Sequence, residues 1–430
     1  MKQIIIREAY DWLYLHDEEP RSLTQVEWEQ LLLFLEQEYR NENIVEYSNK
    51  KLRFINLVGV IQLKTVRIEI LPKINLIEQD DTLNRRALLN MLAVTKKLPV
   101  ELGEQTLSKF EKVDLIHILA QLYIKELSKT LHRGIYREYR LKEENIPTLK
   151  GRLLVSDHIR RNAFGSVNAY CEFDDLTPNI YVNQVLKAAL KKLFPYVKQI
   201  SLKTDMLKGL ALLEDVQDVL FDSTTIGQYE LNRQNTHYDS SIQLAHAILQ
   251  SNSMTSGKDN QIAFSFLFKM NDLYEGYIGE VMKMIIHGTS YEVWSQHAEK
   301  RLLENIHSGR ENILLKPDFV ISDKDSIPRT IIDTKWKSVV VNTRFNYKQG
   351  DIYQMYAYVT AYKTAEKCIL LYPRTDEDKL LPKWLVPDSH PEKYIEVHQV
   401  RLDNLQATVE DVRMLLSDIF TDSVETSVVQ

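Results

Sequence analysis

The chain has 430 residues, 44% of them hydrophobic, and a formal net charge of −6 at pH 7. This length predicts two or three domains, and the acidic balance excludes a chain that binds nucleic acid through an overall positive charge. DNA binding would therefore need a local basic patch or a second subunit. Two cysteines, Cys171 and Cys368, are too few for a disulfide framework or a zinc site, which favours a reducing compartment. The sequence has no signal-peptide pattern and no apolar run of membrane length, so we expect a cytoplasmic protein without a membrane partner.

Residues 1–84 predict a small α+β domain at the start of the chain. A helical pattern of apolar residues covers residues 25–40. Three strand-like runs follow it, at residues 51–56, 58–64 and 65–71. A helix and several strands within so short a segment are typical of one compact α+β unit.

Residues 85–255 predict a mainly helical middle region, because apolar residues recur there at helical spacing. Within it, residues 133–162 carry eight basic side chains. Four acidic residues interrupt them, namely Glu138, Glu143, Glu144 and Asp157. A mixed-charge surface and a track for DNA are both open interpretations, and the acidic residues favour the first. A stretch rich in Ser, Gly and Asn, residues 249–260, predicts a linker, and residues 256–430 predict a third domain.

Two strand-like runs joined by a polar turn occupy residues 313–337, where Asp318 precedes the first run and Asp333 ends the second. If the runs pair as a symmetric hairpin, the two carboxylates face each other across the ladder. Directly opposed like charges destabilise a sheet. At about 4 Å and an effective dielectric constant of about 20, two such charges repel by on the order of 4 kcal/mol. A divalent cation between them would offset this repulsion.

Lys335 is expected on the same face as Asp333, because side chains alternate along a strand. Thr334 is then expected to point away and to offer only its backbone carbonyl. Two carboxylates and a carbonyl form a hard-oxygen site that suits Mg²⁺. Such a site favours attack of water on a phosphodiester, with the lysine supporting the developing charge. The alternative is an ordinary surface hairpin with scattered charges, since Asp-x-Lys alone is common.

The flanking segments predict a helix over residues 262–287, which carries Glu275, and a second helix over residues 350–363. Gln354 and Tyr358 share a face of the second helix, and a short strand follows at residues 367–373. The order helix, strands, hairpin, helix and strand, together with the acidic residues and the lysine, resembles the PD-(D/E)XK nucleases.

This resemblance implies catalytic roles for Asp318, Asp333 and Lys335. It also implies that Glu275 completes the metal shell and that Gln354 supports the site. For Glu275 and Gln354, the alternative is an ordinary solvated helix surface. The tyrosines of the second helix are expected to pack in and around the core rather than to stack on nucleic acid.

Four segments in a fixed order carry a more specific resemblance: VGVIQLKTVRIEILPKIN, LKGRLLVSDHIRRN, FSFLFKMNDLYEGY and PD…DTKWK…DIYQMYAY. Together they resemble the McrC family, the nuclease subunits of McrBC-type 5-methylcytosine-dependent restriction systems. The implied fold is a multidomain α+β and α/β chain, with an N-terminal partner-binding domain, a helical middle region and a C-terminal PD-(D/E)XK domain. The implied cofactor of this chain is Mg²⁺.

The same resemblance implies a partner, a McrB-like AAA+ GTPase hexamer that binds GTP and acts on double-stranded, modified DNA. Residues 1–255 would bind and stimulate that partner, separably from the nuclease. The chain itself has no G-x-x-x-x-G-K-[ST] sequence, so GTP would belong to the partner. Two alternatives stay open, namely a stand-alone RecB-type DNA repair nuclease and a non-catalytic activator of an AAA+ motor.

Overall fold

The computed structural model describes residues 2–417 except 17–19, 41, 75–80, 101, 111, 163–164, 166, 222–228, 230, 251–253, 257–259, 263, 342–343, 346 and 375–379. Much of the predicted linker at residues 249–260 therefore lies outside the described residues. The chain forms two compact units, Met1–Asp114 with Ser253–Gln430, and Leu115–Asn252. Within the described part of the chain, no helix combines the length and apolar character needed to span a membrane.

The predicted mixed α/β architecture is confirmed, since eleven helices and several sheets are present among the described residues. The predicted domains, residues 1–84, 85–255 and 256–430, follow different limits from the two compact units. The two compact units do not show which segment can function alone. The three-part division into domains therefore stays a prediction.

The first segment of the discontinuous unit contains seven strands and three helices. Its elements are β1 Lys2–Arg7, β2 Leu13–Leu15, β3 Ser22–Leu23, α1 Gln25–Tyr39, β4 Val45–Ser48, β5 Lys51–Phe54, β6 Leu57–Gln62, β7 Val66–Leu71, α2 Asp81–Val94 and α3 Glu104–Phe110. The helix and the three strands predicted between residues 25 and 71 are thus confirmed, with ends shifted by one or two residues. Helix α1 begins at a capping box, in which Thr24 Oγ1 accepts a hydrogen bond from Glu27 N and Glu27 Oε2 accepts one from Thr24 N.

The continuous unit, Leu115–Asn252, is less helical than predicted. Its elements are α4 Leu115–Leu131, β8 Glu138–Ile146, β9 Arg152–Leu153, α5 Val155–Asn162, β10 Ala169–Thr177, α6 Tyr181–Leu193, α7 Ile200–Leu212 and α8 Asp239–Gln250. Strands β8, β10 and β9 form an antiparallel sheet that includes much of the basic stretch. Lys142 Nζ lies 2.9 Å from the Glu144 carboxylate, and the Arg152 guanidinium lies 3.8 Å from that of Glu172. These pairs support the interpretation of the stretch as a mixed-charge surface.

The last segment of the chain belongs to the same discontinuous unit as the first segment. Its elements are β11 Met254–Ser256, β12 Asn260–Ile262, β13 Phe264–Lys269, α9 Met270–Ile286, β14 Tyr291–Ser295, β15 Arg301–Asn305, β16 Arg310–Leu314, β17 Phe319–Asp323, β18 Pro328–Thr334, β19 Val340–Val341, β20 Arg344–Phe345, α10 Gln349–Ala361, β21 Lys367–Pro373, β22 Lys383–Leu385, β23 Tyr394–Val400 and α11 Leu405–Leu415. A six-stranded sheet has the order β14-β17-β18-β21-β23-β22.

Helices α9 and α10 cover opposite faces of the six-stranded sheet. Val320 and Ile331 share a hydrophobic core with Met355 of α10. Phe319 is the neighbour of Val320 on β17 and points to the other face, where a Cβ on Gly279 of α9 would lie only 2.9 Å from its ring. Glycine at this position therefore allows α9 to approach the sheet closely.

The long helix predicted over residues 262–287 was wrong at its start. Phe264–Lys269 forms strand β13, which pairs antiparallel with β6 in the sheet β1-β7-β6-β13. The apolar run FSFLFK fits either state, and its pairing partner lies about 200 residues earlier in the chain. A fragment ending at residue 255 would therefore leave this edge of β6 without its partner strand, which argues against a simple separation of the two halves.

We expect Gly59→Ala to lower the free energy of unfolding by about 2 kcal/mol or more. Gly59 of β6 has a φ of +130°, and an added Cβ would lie 2.0 Å from the carbonyl oxygen of Phe266 in β13. Gly103 has no neighbour within 4 Å of such an atom, so Gly103→Ala is the matched control. Chemical denaturation of the full chain measures both, and equal stability of the two variants would contradict the described β6–β13 pairing.

Candidate active site

The hairpin of β17 and β18 brings Asp318 and Asp333 together. Phe319 pairs with Ile332 and Val320 with Ile331, so the next pair of positions outward is Asp318 and Asp333. A β-bulge shifts the register between Ile321 and Ser322, near the turn. The shift lies at the far end of the ladder from the carboxylates, so the ladder pairs next to them keep the predicted symmetric register.

Thr334 fixes the carboxylate of Asp318. Asp318 Oδ2 accepts hydrogen bonds from Thr334 N and Thr334 Oγ1, both at 2.7 Å. The expectation that Thr334 would turn away and offer only its carbonyl was wrong. Asp318 lies just before β17, beyond the last ladder pair, so its carboxylate can reach across to the end of β18. These bonds use Oδ2, and among the described residues no hydrogen bond or ion pair involves Oδ1.

Asp333 is buried, with 1% of its surface exposed, and it contacts the side chains of Lys335 and Gln354. Lys335 Nζ forms an ion pair with Asp333 Oδ2, which places the two side chains on one face, as strand alternation predicts. Gln354 Nε2 of α10 donates to Asp333 Oδ1 at 3.4 Å. The Lys335 side chain is 25% exposed, so its ammonium group can reach both Asp333 and solvent.

Burial raises the pKa of Asp333 to about 7, and the negative charge of Asp318 adds to this shift, while Lys335 opposes it. A carboxyl group in water has a pKa near 4. Below about pH 7, the pair of aspartates therefore favours a bound proton at Asp333 unless a cation compensates the second negative charge.

Helix α10 presents a fixed polar face to the site. Gln354 Nε2 donates to Tyr358 Oη at 2.7 Å, and Tyr358 Oη donates to the carbonyl of Lys316 at 3.0 Å. Gln354 is thus held toward Asp333 by its neighbour one helical turn away. Tyr358 is buried as expected, but Tyr353 is 64% exposed, so the prediction that these tyrosines pack was wrong for part of the helix.

Glu275 of α9 lies beside the aspartate pair. It accepts a hydrogen bond from Gln296, whose own N–H donates to the carbonyl of Asp318 at 2.8 Å. Burial raises the pKa of Glu275, and the charge of Asp318 raises it further. Among the described residues, no group of three His, Cys, Asp or Glu side chains is arranged to hold a metal ion. The role of Glu275 as a third ligand therefore stays a prediction.

The structure thus brings together Asp318, Asp333, Lys335 and Gln354, with Glu275 at the edge of the group. It adds Gln296, which sequence reasoning missed, and it gives the Thr334 side chain a role that sequence reasoning did not predict. The polar residue between the acid and the lysine was the available signal for Thr334. The sequence contained no pattern that pointed to Gln296, because its contacts depend on where β14 ends beside Asp318.

A family model of the McrBC 5-methylcytosine restriction system component matches residues 52–373, which is more than half of the chain. The chain belongs to this family. The predicted membership of an McrBC-type system is therefore confirmed, and the four ordered sequence segments were sufficient to identify it.

Two solved structures resemble this McrBC-family chain. One is a refined half-complex from a tetradecameric assembly of Thermococcus gammatolerans McrB AAA+ hexamers with bound McrC, with a TM-score of 0.73 and 16% identity, covering 97% of this chain and 100% of that one. The other is a cryo-EM structure of the Thermococcus gammatolerans McrBC complex, with a TM-score of 0.52 and 17% identity, covering 66% and 88%. At these identities the likeness concerns the fold alone. A comparison with curated proteins gave no match.

We expect Asp333→Asn to raise the melting temperature of the metal-free McrBC-family chain at pH 8 by a few degrees, on the order of 2 °C per kcal/mol gained. The folded pKa, about 7, lies above the value of about 4 in an unfolded chain, so the folded state binds more protons between these values. This carboxyl group therefore lowers the free energy of unfolding as pH rises from about 4 to about 7. The gain from the asparagine should disappear near pH 4.

Thermal unfolding in EDTA across this pH range measures the effect. Asp325→Asn, in the exposed turn of the same hairpin, is the matched control and should show no such pH-dependent gain. A lower melting temperature of Asp333→Asn than of the native chain at pH 8 would contradict the described repulsion.

Proposed function

We propose that this chain is the endonuclease subunit of an McrBC-type restriction complex and hydrolyses phosphodiesters of double-stranded DNA with Mg²⁺. The observation that carries the proposal is the position of Asp318 opposite Asp333, with Lys335 paired to Asp333. The element order α9, β14, β17, β18, α10 and β21 supports a PD-(D/E)XK fold for this part of the chain.

The donor set fits a hard divalent cation. Asp318 and Asp333 would hold Mg²⁺ through carboxylate oxygens, with Glu275 as a candidate third ligand and water at the other positions. Burial of Asp333 in a protein environment strengthens its attraction for a cation relative to water. When bound, the cation supplies an activated water and compensates charge on the phosphate.

The remaining side chains orient the two carboxylates or stabilise the charge that develops on the phosphate. Lys335 carries a positive charge beside Asp333 and can shift toward a phosphate oxygen, where it would stabilise the charge that develops during hydrolysis. Gln354 orients Asp333 through Oδ1, and Thr334 orients Asp318 through Oδ2. Each carboxylate thus has one oxygen fixed by a hydrogen bond, which limits reorganisation during the reaction.

A McrB-like AAA+ hexamer is the proposed partner. Family membership and the fold shared with chains of McrB–McrC assemblies support it. The partner would bind GTP and modified DNA, and this chain would stimulate its GTP hydrolysis. The proposal accounts for a sequence with net charge −6 and no phosphate-binding glycine loop. We propose a cytoplasmic location, as expected for a chain without a signal-peptide pattern or an apolar run of membrane length.

We expect Asp333→Ala and Lys335→Ala each to reduce DNA cleavage by about 100-fold or more, because each removes a charge that acts directly on the reacting groups. Both side chains lie at the end of a strand, so folding, partner binding and stimulation of nucleotide hydrolysis should be retained. Plasmid cleavage by the reconstituted complex measures the first effect, and co-purification with phosphate release measures the second.

Lys324→Ala, in the exposed turn of the same hairpin, is the matched control and should cleave like the native chain. Mg²⁺ or Mn²⁺ should support cleavage, and Ca²⁺ should not. Native cleavage by either site variant, or full activity in EDTA, would overturn the proposal. Efficient cleavage by the isolated chain would favour the repair nuclease instead.

A further inference from the structure

A buried carboxylate near the N-terminus contacts the nuclease motif. Glu8 follows β1, and no part of its side chain is exposed. Its Oε1 accepts a hydrogen bond from Trp336 Nε1 at 2.7 Å and lies 3.3 Å from Lys73 Nζ, and its Oε2 accepts one from Asn56 N at 3.2 Å. A buried charge is costly unless it is paired and hydrogen-bonded, so these three partners define one stable position for Glu8.

Trp336 is the residue directly after Lys335, and its side chain lies on the opposite face of the motif. Only 7% of its surface is exposed, and its ring centre lies 5.4 Å from that of Tyr274 in α9. Lys335 N donates to the carbonyl of Leu371 at 2.9 Å, and Tyr274 Oη approaches the same carbonyl at 3.5 Å. The backbone at the catalytic lysine is therefore held between β21 on one side and the packed indole on the other.

The indole contact matters because regular strand pairing ends at this point. Strand β18 stops at Thr334, and the next backbone bond, from Lys337 N to the carbonyl of Lys335, belongs to a turn. Lys335 thus follows the last residue of the ladder. Beyond Lys335, the buried side chain of Trp336 holds the backbone in place, and among the described residues its indole N–H donates to Glu8. Removing this acceptor would leave a buried donor unpaired and the turn free to shift.

We propose that Glu8 is a positioning residue of the nuclease site, which fixes Lys335 through Trp336, and that the N-terminal segment is thereby a structural part of that site. The inference rests on the proposed function for its catalytic consequence. Its structural consequence, the ordering of residues 333–338 by Glu8, can be measured without DNA or metal.

The test uses full-length chains in complex with the AAA+ partner for cleavage, and the same chains alone for hydrogen exchange. Glu8→Ala removes the acceptor, Glu8→Gln keeps an acceptor oxygen without the charge, and Trp336→Phe keeps a ring without the donor. Glu27→Ala is the matched carboxylate control, because Glu27 is also buried in the N-terminal segment and its hydrogen bonds to Thr24 and Thr65 stay within that segment. Trp384→Phe, in β22 at the edge of the six-stranded sheet, is the matched indole control.

We expect Glu8→Ala and Trp336→Phe to lower kcat for DNA cleavage by about tenfold or more with KM for DNA unchanged, because a misplaced lysine loses transition-state contact and not substrate binding. Glu8→Gln should stay within about threefold of the native kcat. Backbone amides of residues 333–338 should exchange faster in Glu8→Ala and Trp336→Phe, and at the native rate in both controls.

The inference is overturned if Glu8→Ala leaves exchange at residues 333–338 unchanged, whether or not the native complex cleaves DNA. It is also overturned if Glu27→Ala produces the same loss of kcat and the same local exchange, since Glu8 would then be one more buried carboxylate that stabilises the fold. Native cleavage by Asp333→Ala would instead refute the proposed function, and the exchange result would still decide the role of Glu8.

Discussion

Asp318 and Asp333 face each other at the open end of one hairpin, where their negative charges repel and the pKa of Asp333 rises to about 7. Their neighbours each limit the cost of this arrangement. Thr334 stabilises the charge on Asp318 with two hydrogen bonds, and Lys335 and Gln354 contact Asp333. The structure thus retains an unfavourable pair of charges in a place where a cation would make it favourable.

The rest of the fold keeps these groups in register. Helix α10 supplies Gln354 from one face of the sheet, and α9 supplies Glu275 and packs closely against β17 at Gly279 from the other. Strand β13 links the start of α9 to β6 of the N-terminal sheet, so the first segment of the chain and the candidate site belong to one compact unit. Partner binding and cleavage need not reside in independent halves of such a chain.

Local sequence patterns predicted the parts of this architecture that depend on neighbouring residues. Strand β21 occupies the predicted residues 367–373, and the hairpin register follows from the symmetry of its two apolar runs. Contacts between distant segments could not be predicted in this way. Strand β13 was assigned to a helix because its partner β6 is remote, and the bond between Glu8 and Trp336 joins residues 328 positions apart. The prediction for Thr334 was wrong for another reason: Asp318 lies just before β17, so its carboxylate can reach the end of β18 and accept hydrogen bonds from Thr334.

Binding of Mn²⁺ to the isolated, DNA-free chain, measured by calorimetry at pH 8, tests the central claim most directly. The account predicts a Mn²⁺ site that requires both opposed carboxylates, so Asp318→Asn and Asp333→Asn should each abolish binding while the exposed-turn variant Asp325→Asn binds like the native chain. Binding of Mn²⁺ with native affinity by Asp333→Asn would show that the opposed pair is not a metal site and would contradict the account.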